Sequence, residues 1–146
     1  MNIRIRPSLI VKRDAKRFLF VRHCKNEKKY WLFPGGGQDT FESMIDGAKR
    51  ELREETGIVA TQFRFVALRE SMNEKAGKHT QFPVFEVLDP DFSNLSVGVD
   101  HRLEGIDFFT IDEILKRPFF PDFGEDLEKM LTGKPVEQFK TLPWKE

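Results

Sequence analysis

GGQDTFESMIDGAKRELREETGI, residues 36–58, is the stretch whose reading decides the fold. It follows Phe33-Pro34-Gly35, so Pro34 and the glycines 35–37 run into its start and exclude regular structure there. Ser43 with Asp46 three residues on reads as a helix N-cap with an acid at the third position. Ile45, Ala48 and Leu52 recur at helical spacing and form an apolar face. Gly57 suits the left-handed residue that closes a helix, so the pattern predicts a helix over about 44–56. Glu51, Glu54 and Glu55 are three and four positions apart and share another face. Three carboxylates on one face repel unless a cation sits among them, and their hard oxygens suit Mg²⁺ or Mn²⁺. Arg50, four residues before Glu54, can pair with it and orient the cluster. Alone, a run such as RELREE reads as a solvated face; the glycine loop before it supplies backbone groups that can approach a metal or phosphate closely.

Outward from this segment, the chain alternates strands and turns. Residues 2–11 read as one strand and 17–23 as another, with a turn at 12–16 around Asp14. YWLF at 30–33 is a short aromatic strand. Strands at 60–70 and 79–88 flank the loop 71–78, and a loop at 89–101 precedes a strand at 103–110. Thr110 caps a short helix ended by Pro118, and a last helix lies near 123–132. The tail 133–146, with Pro135, Pro143 and Trp144, is expected to dock on the body or on a partner. This order is not the regular alternation of a doubly wound parallel sheet; a mixed sheet between helices fits it better.

The 146 residues suit one domain, 1–146, and the 15 Phe promise a packed core beneath a surface that is 33% charged. Zero formal net charge gives no general affinity for nucleic acid or anionic membrane. The lone Cys24 cannot form an intramolecular disulfide, and neither a leader nor a membrane span is legible, so a cytoplasmic protein is expected. Three scattered His and one Cys lack zinc-ligand spacing, and the G-x-x-x-x-G-K-[ST] run of a P-loop is missing.

Gly36, five residues, Glu42, seven residues, Arg50-Glu51-Leu52, one residue, Glu54-Glu55, one residue, Gly57-Ile58: this spacing resembles the Nudix box at every fixed position. The resemblance implies an α/β/α sandwich with a mixed β-sheet and hydrolysis of a diphosphate bond in a nucleotide derivative. It implies a divalent ion, Mg²⁺ or substitute Mn²⁺, held by Glu51 and Glu55 with Glu54 close by. The Gly36 carbonyl and Glu42 are further metal-site candidates, and Arg50 an orienting residue. The ion lowers the pKa of a bound water and a carboxylate takes its proton. Glu54 and Glu104 are the first candidates for that base, followed by Asp122 and Glu125. Many members carry Gly before the first box Glu; Phe41 stands there, which implies an altered loop.

Substrate choice lies outside the box. Arg6 and Arg22, with Arg4, are candidate phosphate contacts, since Arg binds phosphate bidentately. Tyr30 and Trp31 are candidate base-stacking rings. His23 and His79 read as structural, and Phe119, Phe120 and Phe123 as core or pocket wall. The run Arg22-His23…Tyr30-Trp31-Leu32-Phe33-Pro34-Gly35-Gly36-Gly37 resembles members acting on ADP-ribose or nucleotide sugars. Nucleoside triphosphates and dinucleoside polyphosphates are the alternative substrates, and a non-catalytic nucleotide-binding module is the alternative class. A homodimer is expected, and RNA is not expected as a substrate.

Overall fold

A computed structural model describes residues 2–96, 98 and 103–143; Trp144, and part of the expected 89–101 loop, lie outside the described residues. The strands are β1 (Arg4–Ile5), β2 (Ser8–Ile10), β3 (Arg17–Lys25), β4 (Lys28–Leu32), β5 (Phe63–Asn73), β6 (Lys78–Val87), β7 (Leu103–Thr110) and β8 (Phe139–Leu142). The helices are α1 (Met44–Thr56), α2 (Ile111–Leu115) and α3 (Asp126–Thr132).

The single strand expected over 2–11 is two strands, because Pro7 has no N–H to donate. Both pieces run parallel to β6, with Arg4 opposite Thr80 and Ser8 opposite Val84. β6 pairs antiparallel with β5, and β8 adds to β5 in parallel, Leu68 opposite Phe139. This mixed five-stranded sheet is accompanied by a three-stranded antiparallel one, ordered β4-β3-β7. The turn at 12–16 forms around Asp14, whose carboxylate accepts the Lys16 and Arg17 N–H at 2.9 Å each. It does not make a regular hairpin, since β2 and β3 part into different sheets after one bridge at Lys12 and Phe18. The tail docks on the body as β8, one of the two expected outcomes.

Period-two alternation sends neighbouring residues into two separate cores. Leu9, Leu19 and Phe85 join Ala48 and Leu52 of α1, with Ile58 behind them. Ile10, Phe20 and Val84 join Ile114 of α2 and Leu127, Met130 and Leu131 of α3. The helices therefore cover opposite faces of the strands, and the α/β fold with a mixed sheet is observed as expected. Leu52 is fully buried, and truncating such a side chain to Ala costs about 2–5 kcal/mol. No described helix is long and apolar enough to cross a membrane.

The α3 side holds one buried ionic cluster. Arg69 of β5 has no solvent exposure. It donates to the Leu68 and Glu137 carbonyls at 3.0 and 2.9 Å and to Asp126 Oδ2 at 3.2 Å. Lys140 Nζ donates to the same Asp126 oxygen at 2.8 Å, tying β8 to α3.

Candidate active site

The helix that carries the carboxylates is bounded as expected. Ser43 Oγ accepts the Asp46 N–H at 3.0 Å, and Gly57, at φ 75°, donates its N–H to the Arg53 carbonyl at 2.8 Å. The glycine loop lies directly against α1. A Cβ on Gly36 would sit 2.2 Å from Glu51 Oε2, so only glycine lets this backbone rest on that carboxylate.

Arg50 is the hub. Its Nε and Nη2 donate to the two oxygens of Glu42 at 2.8 and 3.0 Å. Its Nη1 donates to Glu51 Oε1 at 2.8 Å and Glu54 Oε2 at 3.2 Å, and Nη2 also reaches the Gly37 carbonyl at 3.1 Å. The pairing with Glu54 matches the i,i+4 expectation. These hydrogen bonds, with one from the Asp39 N–H, lower the Glu42 carboxyl to about 2, and Glu42 in turn raises the Arg50 guanidinium. Both Glu42 oxygens thus accept from Arg50, and Glu42 holds the orienting residue in place. Burial pushes the Glu51 carboxyl up against the opposing pull of Arg50, and the charges of Glu55 and Glu54 add to the rise.

Glu55 corrects an expectation. The run RELREE alone reads as a solvated face, yet Glu55 within it is 7% exposed, with the Gly35 backbone against it. Its Oε1 accepts the Gly35 N–H at 3.0 Å, and its Oε2 lies 3.5 Å from His23 Nε2. Arg6 is likewise buried and not a substrate contact. Its Nη2 donates to the Phe33 and Gly35 carbonyls at 3.2 and 3.3 Å, and Nη1 to Ser8 Oγ at 3.2 Å. Burial lowers the Arg6 guanidinium; the charges of Glu55 and Glu51 oppose this, and that of Arg4 adds to it. Gly35 is therefore gripped from both sides, its carbonyl by Arg6 and its N–H by Glu55.

Other candidates separate by strand face. Leu19, Val21 and His23 point toward α1, whereas Phe20 and Arg22 point the other way. Tyr30, opposite His23, shares its face and meets that ring edge-on at 5.9 Å. Trp31, opposite Arg22, lies on the far face. It packs edge-on against Phe109 at 4.8 Å beneath the Arg22 guanidinium, so it and Arg22 face away from Glu55. Glu104 is the extra residue of a bulge in β7, since Arg22 faces Gly105 while His23 faces Leu103. It pairs with Arg22 at 3.4 Å and Lys29 at 3.5 Å, apart from the box carboxylates. Asp122 accepts the Gly124 N–H, and Glu125 lies 3.8 Å from Lys129. Phe119 and Phe123 are core, and His79 is taken by Glu70 at 2.7 Å. Phe41 is fully exposed with φ 61°, so the ring is carried on the left-handed backbone that favours glycine.

Among the described residues, no three His, Cys, Asp or Glu side chains converge closely enough to hold an ion. The cause is visible: Arg50 occupies the space between Glu51 and Glu54, and Glu55 turns to Gly35. The donor set itself fits a hard divalent cation, with the half-buried Glu51 and buried Glu55 one helical turn apart. Sequence spacing marked these carboxylates but missed His23, because its partner lies 32 positions away on another element.

The profile described as NUDIX domain matches residues 3–130. Over 113 residues the chain is 31% identical to the CTP pyrophosphohydrolase of Escherichia coli (strain K12), covering 77% of this chain and 79% of that protein. Over 51 residues it is 35% identical to the 8-oxo-dGTP diphosphatase of Buchnera aphidicola subsp. Acyrthosiphon pisum (strain APS), which is 35% of this chain and 41% of that protein. The solution structure of the E. coli ORF135 protein matches with a TM-score of 0.74 at 25% identity, over 94% of this chain and 96% of that one.

Proposed function

The chain belongs to the NUDIX family of pyrophosphohydrolases, and from that premise we propose that it hydrolyses a phosphoanhydride bond of a small nucleotide with Mg²⁺ as the working ion. One observation carries the reading: Glu51 and Glu55, a helical turn apart and withdrawn from solvent, are both pressed against the Gly35-Gly36 backbone. Glu51, Glu54 and Glu55, with the Gly36 carbonyl, are the residues that would hold the ion. When bound, it would neutralise phosphate oxygens and acidify a water. Arg50, anchored by Glu42, keeps Glu51 and Glu54 in place. Glu54, the most open of the three, takes the proton from water; Glu104, tied to Arg22 and Lys29, ranks behind it.

A nucleoside triphosphate is the first substrate class, supported by the likeness to CTP pyrophosphohydrolase across most of both chains. A nucleoside diphosphate joined to a sugar, ADP-ribose first, is the second. It rests on the Arg22-His23…Tyr30–Gly37 run and gives Tyr30 the substrate-facing place beside His23. A single domain working as a homodimer completes the proposal, and light scattering of the purified protein reads its mass. Purified protein with Mg²⁺ is assayed against CTP, dCTP, 8-oxo-dGTP, ADP-ribose and GDP-mannose. Glu55→Gln is expected to cut turnover of the best substrate by about 100-fold or more while its fold persists, since the amide oxygen still accepts the Gly35 N–H. Full Mg²⁺-dependent turnover in that variant sinks the placement of the site.

A further inference from the structure

We propose that His23 is a positioning residue that holds the Glu55 carboxylate in the orientation a divalent ion requires, an inference that rests on the reading of Glu55 as a metal ligand. The period-two alternation of β3 aims Leu19, Val21 and His23 at the α1 face, and His23 arrives at the last turn of that helix. Its side chain is 9% exposed, and Nε2 is buried with no hydrogen-bond partner. A buried polar atom left unmade costs about 1–3 kcal/mol, so its position calls for a partner. The nearest carboxylate oxygen is Glu55 Oε2 at 3.5 Å, slightly beyond hydrogen-bond length.

The other Glu55 oxygen is already fixed by the Gly35 N–H. A slight approach of the two groups would let the tautomer with its proton on Nε2 donate to Oε2. Tyr30 stands edge-on to the imidazole and limits its rotation. A carboxylate held at one oxygen can still pivot; held at both, it presents one set of lone pairs. Outer donors of this kind typically govern metal affinity by 10–100-fold.

Mn²⁺ affinity, read by electron paramagnetic resonance without any substrate, tests this. His23→Phe keeps the ring and removes the donor, and is expected to weaken Mn²⁺ binding by about tenfold or more. His23→Gln places an amide nitrogen where Nε2 stood and is expected to recover affinity to within about threefold of wild type. Circular dichroism checks that each variant is folded, and His23→Ala replaces the Phe variant if that one does not fold. Unchanged affinity in the donor-less variant overturns the role of His23, as does a Gln variant as weak as that one. A wild-type protein that binds no Mn²⁺ overturns the metal site itself and this inference with it.

Discussion

Two buried arginines, one on each side of the molecule, solve the same problem differently. Arg69 meets a carboxylate directly: Asp126 lies 3.2 Å away and is shared with Lys140. Arg6 meets only neutral oxygens, from Ser8, Phe33 and Gly35, and its counter-charges are Glu55 and Glu51 at longer range. Burial consequently lowers the Arg6 guanidinium. On the α3 side opposite charges touch, although Arg69 Nε is buried without a hydrogen-bond partner. On the glycine-loop side Arg6 and Glu55 stay apart, joined through the Gly35 backbone, and Phe41 is in a left-handed conformation. His23 Nε2 on that side is buried without a hydrogen-bond partner.

The sharpest way to break this comparison is Asp126→Asn. It leaves Arg69 buried without its carboxylate, and the expected loss is about 3–5 kcal/mol of unfolding free energy by urea titration at pH 7. Turnover per folded molecule should not change; a large fall there would show that the two sides are coupled. The same variant has a pH signature. Burial works to raise the Asp126 carboxyl, but the Lys140 hydrogen bond and the charges of Lys140 and Arg69 outweigh it, so the carboxyl lies below its ordinary value. An acid with a depressed folded pKa stabilises above its unfolded pKa. The gap between wild type and variant should therefore be full above about pH 4 and close as pH falls through the lower folded value.

Arg6→Met is next in size. It leaves the Phe33 and Gly35 carbonyls without their buried donor, for an expected loss of about 1–3 kcal/mol in the same titration. Unlike Asp126→Asn, it should also weaken Mn²⁺ binding by about tenfold, because the loop that presses on Glu51 and Glu55 loses its brace. A stability loss with unaltered Mn²⁺ affinity would erase the distinction between the arginines. The smallest effect belongs to Phe41→Gly, which relieves the φ of 61° and should raise stability by about 0.5–1 kcal/mol. A lower denaturation midpoint instead would mean that the exposed ring makes contacts that outweigh the strain.

Local chemistry was the legible part. Ser43 and Gly57 bound α1 where their residue types said they would, and Thr110 with Glu113 forms a capping box on α2. The Arg50–Glu54 pair follows from spacing along one helix. Long-range relations were not legible. Arg6 read as a candidate phosphate contact, and only the parallel pairing of β1 and β2 with β6 puts it beneath the glycine loop. Glu55 shares a helix face with Glu54 but is covered by a loop some 20 positions earlier. Tyr30 and Trp31 are adjacent, so alternation must place one by His23 and the other in the opposite core, and sequence alone does not say which.

The parallel addition of β8 has a consequence for biosynthesis. On the ribosome, the β5 edge emerges about 70 residues before the strand that covers it, Leu68 waiting for Phe139. During that interval its backbone N–H and C=O groups form an open template, beside the exposed ring of Phe65 and thioether of Met72. Nascent chains stalled before residue 139 should therefore be the aggregation-prone species, and capture of that edge by chaperones would end when Lys140 reaches Asp126.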